Sequence, residues 1–246
     1  MKTAAPVKRG FTLIELLVVM GIIGLLVMLL MPAVNYAIVV AQGVATGNTF
    51  RLIETGLTGF RGDFGVYPPS DRSHETVVGW STTAYGYENL GLCLGGPEGS
   101  GWGWDGTAAD TEKEMPFGGT SDKKFGPYFE AATGMSILDS YKPAAPILYF
   151  RYEQSESPAE YDFNDNKATD TAKGEDGFVS QANLDLLVKR QGTNQYVRRD
   201  YVLISAGPDR VFGYRVPDAN GVYTFATSYS TGAYCDDLAN FTHEQY

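Results

Sequence analysis

From Phe11 to Val34 the chain is almost wholly apolar, and beyond it the apolar positions thin into a helical rhythm. Ile53, Leu57, Phe60 and Phe64 recur at intervals of four, three and four, which lines them along one face of an α-helix, with Arg51, Glu54 and Arg61 elsewhere on the wheel. Gly65 and the Pro68-Pro69 pair stop that helix. The pattern predicts one long helix, apolar all round at its start and amphipathic at its end. Its weakest stretch is Gly43 to Thr49, where Gly43, Thr46, Gly47, Asn48 and Thr49 have poor helix propensity. A short helix is expected over Tyr87 to Leu94, closed by Gly95-Gly96-Pro97, and Gly99 to Thr120 reads as a loop. Ile147 to Tyr152 and Tyr201 to Ile204 have strand character. Ala206-Gly207-Pro208-Asp209 is a turn after the second strand, and Val211 to Tyr214 is the expected return strand. Residues 153–177 are dense in Asp, Glu, Asn and Ser and read as an exposed acidic insertion.

Composition narrows the classes. The 246 residues carry 19 Lys and Arg against 29 Asp and Glu, a net charge of −10. Nucleic-acid binding needs clustered cations to neutralise phosphate, and this balance argues against it. Two Cys cannot build a four-thiolate zinc site, and neither the Cys pair nor the His pair has the short spacing of a zinc finger, which argues against structural zinc. Glycine, at 29 residues, is enriched, yet an apolar share of 43% is ample for a core.

The exception to the acidic balance lies at the N-terminus, where Lys2, Lys8 and Arg9 precede the apolar run with no acid among them. The 24 residues from Phe11 to Val34 span about 36 Å as a helix, enough for a bilayer core of about 30 Å. Basic flanks stay on the cytoplasmic side, so the mass after the span is exported. A cleaved secretory signal explains the basic start but not the length of the run or the lack of an A-x-A site. An uncleaved anchor explains the length but leaves Glu15, a carboxylate within the apolar run, without a reason.

The run Lys8-Arg9-Gly10-Phe11-Thr12-Leu13-Ile14-Glu15-Leu16-Leu17-Val18-Val19 resembles the signal of type IV pilins and type II secretion pseudopilins. The resemblance implies cleavage between Gly10 and Phe11 by a prepilin peptidase and methylation of the new Phe11 amine. It implies an α+β, pilin-like fold: a long N-terminal helix, membrane-embedded in its first half, packed on a small antiparallel sheet with long loops. Residues 1–10 are then the leader, 11–34 the membrane and filament-core helix, 35–65 its continuation, and 66–246 the exported globular domain. The partners implied are further copies and related subunits in a helical filament, the peptidase, and an inner-membrane platform with its ATPase. Tyr67-Pro68-Pro69, Gly126-Pro127-Tyr128, Ile147 to Tyr152 and Ser205 to Asp209 also resemble segments of major pseudopilins. The function implied is structural: a pseudopilus subunit, inserted in the inner membrane with its C-terminal domain periplasmic, or alternatively a surface pilin for adhesion, motility or DNA uptake. A membrane-anchored binding protein with an uncleaved helix is the reading from another class.

Elementary chemistry gives Glu15 a role within this scheme. A Phe11 ammonium would lie four residues before Glu15 on the same helical face, beside the positive end of the helix dipole. In a filament Glu15 of one subunit would meet the Phe11 amine of its neighbour and set register, since a buried pair is specific more than stabilising.

Candidate metal chemistry is thin. Asp162, Asn164, Asn166 and Asp170 stand at positions 1, 3, 5 and 9 of a calcium-loop pattern that fails at Lys167 and Lys173. The pseudopilin resemblance implies calcium between C-terminal strands, with Asp209 and Asp218 as the carboxylates. No cofactor is required by any motif. Gly99 to Gly103 follows no strand and opens no helix, and Ser205 lacks a nucleophile elbow, so no enzyme is expected. Cys93 and Cys235 are either a disulfide of the exported compartment or two buried thiols.

Overall fold

The computed structural model describes residues 12–70, 85–96, 99–103, 115–118, 121–130, 136–152, 161–167, 177–190, 193–198, 200–217, 222–226, 228 and 233–241. The leader, Gly10, Phe11, Asp170 and Asp218 lie outside them. The chain divides into two units, 1–41 and 42–246.

Helix α1 spans Leu13–Phe64 and includes Pro32. In the first unit its large apolar side chains, from Leu13 through Val40, are solvent-exposed rather than packed. That is the surface of a helix made for lipid or for other helices, and its length and hydropathy suffice to cross a bilayer. In the second unit α1 becomes one-sided. Ile53, Leu57 and Phe60 are buried and Phe64 packs beside them, as the periodicity predicts, and Phe50 extends this face. Gly65, at φ +79°, ends the helix by returning its N–H to the Arg61 carbonyl at 2.8 Å.

The globular unit is built around a small sheet buried on both faces. Strands β1 (Leu148–Arg151) and β2 (Tyr201–Ser205) pair antiparallel, and β5 (Leu238–Ala239) adds to the far edge of β2. Side chains alternate across the pleat. Tyr149 opposite Leu203 faces α1 and α2 (Gly86–Gly95), in a core with Leu90, Cys93, Leu94 and Trp102. Leu148 opposite Ile204 and Phe150 opposite Val202 face a second core with Phe178, Phe212 and helix α3 (Gln181–Val188). Strands β3 (Arg215–Pro217) and β4 (Tyr223–Phe225) form a separate hairpin.

Two expectations need correction, and of the two states left open for Cys93 and Cys235 the unbonded one is found. Val211 to Tyr214 is not a return strand: Arg210 takes φ +63° and turns the chain away, and β2 finds its second partner in β5. The 153–177 segment is not wholly exposed. Tyr161, Asp165 and Asn166 are buried, because a 3-10 turn over Phe163–Asn166 pins the segment to the core. Cys93 and Cys235 do not form a disulfide. Both are free, one in the core beneath α1 and the other against the second core.

Candidate functional site

Two sets of polar groups stand apart from the packing, one in each unit. The first opens α1. Thr12 donates its backbone N–H to Glu15 Oε2 at 2.9 Å and its hydroxyl to the same oxygen at 2.7 Å, while Glu15 N–H donates to Thr12 Oγ1 at 3.3 Å. This is a reciprocal capping box, which satisfies N–H groups that a helix start leaves unpaired and sets a carboxylate at the positive end of the dipole. The Thr-x-x-Glu spacing that forms this box is present in the sequence at Thr12 and Glu15.

The second set lies where the segment after Ala233 passes the turn after β2. Asp209 is held by Arg215 and accepts the Val211 N–H at 2.8 Å. Asp237 Oδ2 accepts the Gly213 N–H at 2.7 Å, while its Oδ1 is buried and unpartnered. Asp236 Oδ2 is likewise buried and unpartnered. Burial, then the neighbouring Asp236, pushes the Asp237 carboxyl up to about 8 against the pull of the Gly213 N–H and Arg215, and burial raises Asp236 as well. Gly207 sits against this pair so closely that a Cβ there would strike the Asp236 carbonyl. Cys235 packs beside it, its thiol pushed up by burial and by Asp237, so it stays protonated and unreactive.

The metal candidates from sequence separate on this geometry. Asn166 gives its amide to the Tyr149 carbonyl at 2.7 Å and accepts the Tyr87 N–H at 3.0 Å, which ties the 3-10 turn to β1 and α2. Asp162 caps that turn through the Asn164 N–H and side-chain amide. Those groups are engaged in local structure. Asp209 is already paired with Arg215. Among the described residues the buried carboxylate oxygens without partners belong to Asp236 and Asp237, with the Asn183 amide oxygen also unpartnered, and the two adjacent acids are a signal visible in the sequence. Their hard oxygen donors suit a calcium-like cation, which would relieve exactly the unpaired buried carboxylate oxygens that the fold leaves. Among the described residues no three carboxylate, imidazole or thiol groups converge on a point that could hold a metal.

Residues 6–31 match a family model described as the prokaryotic N-terminal methylation motif, the signal of type IV pilins and pseudopilins. No curated protein and no solved structure matches the chain. A motif of this kind supports a type IV pilin-like or pseudopilin protein and implies processing by prepilin peptidase and assembly with similar subunits. The apolar helix that follows fits a membrane anchor.

Proposed function

We propose that this chain is a structural subunit of a type II secretion pseudopilus. It enters the inner membrane with its basic leader inside, is cut between Gly10 and Phe11, is methylated on Phe11, and is drawn by a platform and its ATPase into a helical stack. The observation that carries the reading is the methylation motif at residues 6–31, running directly into a helix whose apolar side chains have no partners of their own in the first unit. Removing Lys2, Lys8 and Arg9 leaves 16 basic against 29 acidic residues, so the mature subunit carries −13. Such a surface repels its copies and makes assembly sensitive to ionic strength and divalent cations.

Calcium belongs to this reading as a stabiliser of the periplasmic domain. Asp236 and Asp237 would hold it, in place of the Asp209 and Asp218 pair expected from sequence. Bound there, a cation supplies positive charge to two carboxylates that otherwise compete for burial. Asp209 and Arg215 stay paired and fix the turn beside it.

N-terminal mass analysis of the protein purified from membranes tests the reading. A mature chain beginning at methylated Phe11 is the expected result, and a chain that keeps Met1 or begins beyond Ala33 overturns it. Deleting the chain then separates the two filament systems: loss of exoprotein release with surface pili intact marks a pseudopilus, and loss of pili marks a pilin.

A further inference from the structure

A line of hydrogen bonds, completed by one close backbone approach, runs from the weakest part of α1 to Asp236. Thr46, fully buried on the helix, accepts the Ser140 N–H at 3.0 Å. The adjacent Asp139 is buried too. Its Oδ1 accepts the Ala145 and Tyr141 N–H groups at 3.0 and 3.3 Å, and its Oδ2 accepts the Ser205 hydroxyl at 2.7 Å. Ser205, at the end of β2, accepts the Gly207 N–H at 3.3 Å, and Gly207 is pressed on the Asp236 backbone. A second line runs beside the first. The Tyr141 hydroxyl lies where a side chain on Gly43 would begin, 3.0 Å from that point, and Leu238 lies 3.9 Å from it. The Tyr141 hydroxyl and Leu238 thus meet α1 at the same point, and the Tyr141 N–H is tied to Asp139. Leu238 is held in turn by its pairing opposite Ser205.

These contacts meet α1 at Gly43 and Thr46, within the run of Gly, Thr and Asn residues where helix propensity is lowest. A helix segment of poor propensity opens locally at small cost, and its equilibrium follows whatever packs against it. A network of packed and hydrogen-bonded groups transmits such a bias when it ends on an element with two arrangements.

We infer that the Asp236–Asp237 loop controls the firmness of α1 between Gly43 and Phe50, through Gly207, Ser205 and Asp139 on one side and Tyr141 and Leu238 on the other. A loaded, ordered loop holds Tyr141 and Asp139 against the helix, and an unloaded loop releases them. The cation half of this inference rests on the calcium reading above, whereas the relay itself rests on the contacts. The consequence is a subunit whose stem is stiff only when its C-terminal segment is seated.

Amide hydrogen exchange on the full chain in detergent, with calcium chloride or with chelator, tests it. Exchange of peptides covering residues 42–50 is expected to slow about fivefold or more with calcium, in the range of ordinary coupling energies. Ser205→Ala, which removes the hydroxyl that Asp139 accepts and keeps both Asp236 and Asp237, is expected to bind calcium by titration calorimetry as the parent does and to lose that slowing. Calcium binding in the parent with no change at 42–50, or slowing that survives in Ser205→Ala, overturns the coupling and leaves the calcium reading standing. If calorimetry detects no calcium, that reading fails, and Asp236→Asn decides the relay alone. Altered exchange at 42–50 in that variant upholds the relay, and unaltered exchange overturns it.

Discussion

Glu15 is already hydrogen-bonded within its own subunit, through both the backbone N–H and the hydroxyl of Thr12. A carboxylate that caps its own helix must exchange or share that contact if it is to meet the Phe11 amine of a neighbour. Assembly then substitutes one partner of Glu15 for another instead of pairing a bare charge. Glu15→Gln and Glu15→Ala separate the two roles. Both should insert and be cleaved, because the signal around Gly10 is intact, and both should yield few filaments, because neither carries the charge. Only the Gln side chain can still accept from Thr12, so amides at Leu13 to Leu16 should stay protected in Glu15→Gln and exchange faster in Glu15→Ala. Filaments of normal yield from Glu15→Gln would remove the amine-pairing role.

The glycines of α1 are not equivalent. A Cβ on Gly56 would lie 2.9 Å from the Tyr128 carbonyl oxygen, whereas one on Gly62 meets nothing within 4 Å. Gly56→Ala should therefore cost about 1–3 kcal/mol by forcing backbone apart. Gly62→Ala should gain about 0.5–1 kcal/mol from helix propensity alone. Urea unfolding of the two variants checks the difference, and equal midpoints would mean that Tyr128 does not seat against the helix.

The two thiols should remain unbonded even in an oxidising compartment. Migration on a non-reducing gel is expected to match the reduced protein, and a maleimide should label both cysteines only after unfolding. Cys93 is fully buried, with Trp102 and leucines in the same core. Cys93→Ser places a hydroxyl there and should cost about 1–3 kcal/mol. A faster-migrating oxidised species would contradict the separation of the two residues.

The acidic pair predicts an unusual pH profile for the cation-free protein. The Asp237 carboxyl, held up at about 8, keeps its proton in the folded state over a range in which the unfolded chain, at ~3.9, has lost it. The native state binds the extra proton, so this group stabilises fully below about pH 4, and its contribution is lost as pH rises towards 8. Melting with chelator at pH 5 and pH 8 should show this fall, Asp237→Asn should flatten it, and calcium should oppose it by favouring the ionised pair. A parent profile as flat as that of Asp237→Asn would show that the carboxyl is not raised.

Much of the helical frame was legible because its signals are local. The spacing from Ile53 to Phe64 predicted the buried face of α1, Gly65 its end, and the run to Leu94 the helix α2. Strands β1 and β2 announced themselves as apolar, aromatic-rich segments. Helix α3 was missed although Ser180 caps it, its hydroxyl oxygen accepting the Asn183 N–H at 3.3 Å, and Leu184, Leu187 and Val188 follow with helical spacing. One short turn-and-a-half of pattern next to an acidic, polar stretch is a weak signal. The pairing of β2 with β5 was not legible at all, because the choice between Val211 and Leu238 as its neighbour depends on a backbone reversal at Arg210. The unpartnered oxygens of Asp236 and Asp237 arise only once that reversal brings them to Gly207. A long-range encounter of this kind leaves no periodicity to read.

The attachment of α1 to its domain has a mechanical meaning. Phe50, Ile53, Leu57 and Phe60 are spread along the helix axis, and between them Glu54 accepts from Arg198 at 2.8 Å and from the Asn240 side chain at 2.9 Å. A pull along that axis loads all of these contacts together, in shear, whereas a peel from one end would break them one after another. In the proposed pseudopilus, extraction from a bilayer by a machine that draws on the helix would be a pull of the first kind. The domain, gripped at several points at once, would then travel intact with its stem.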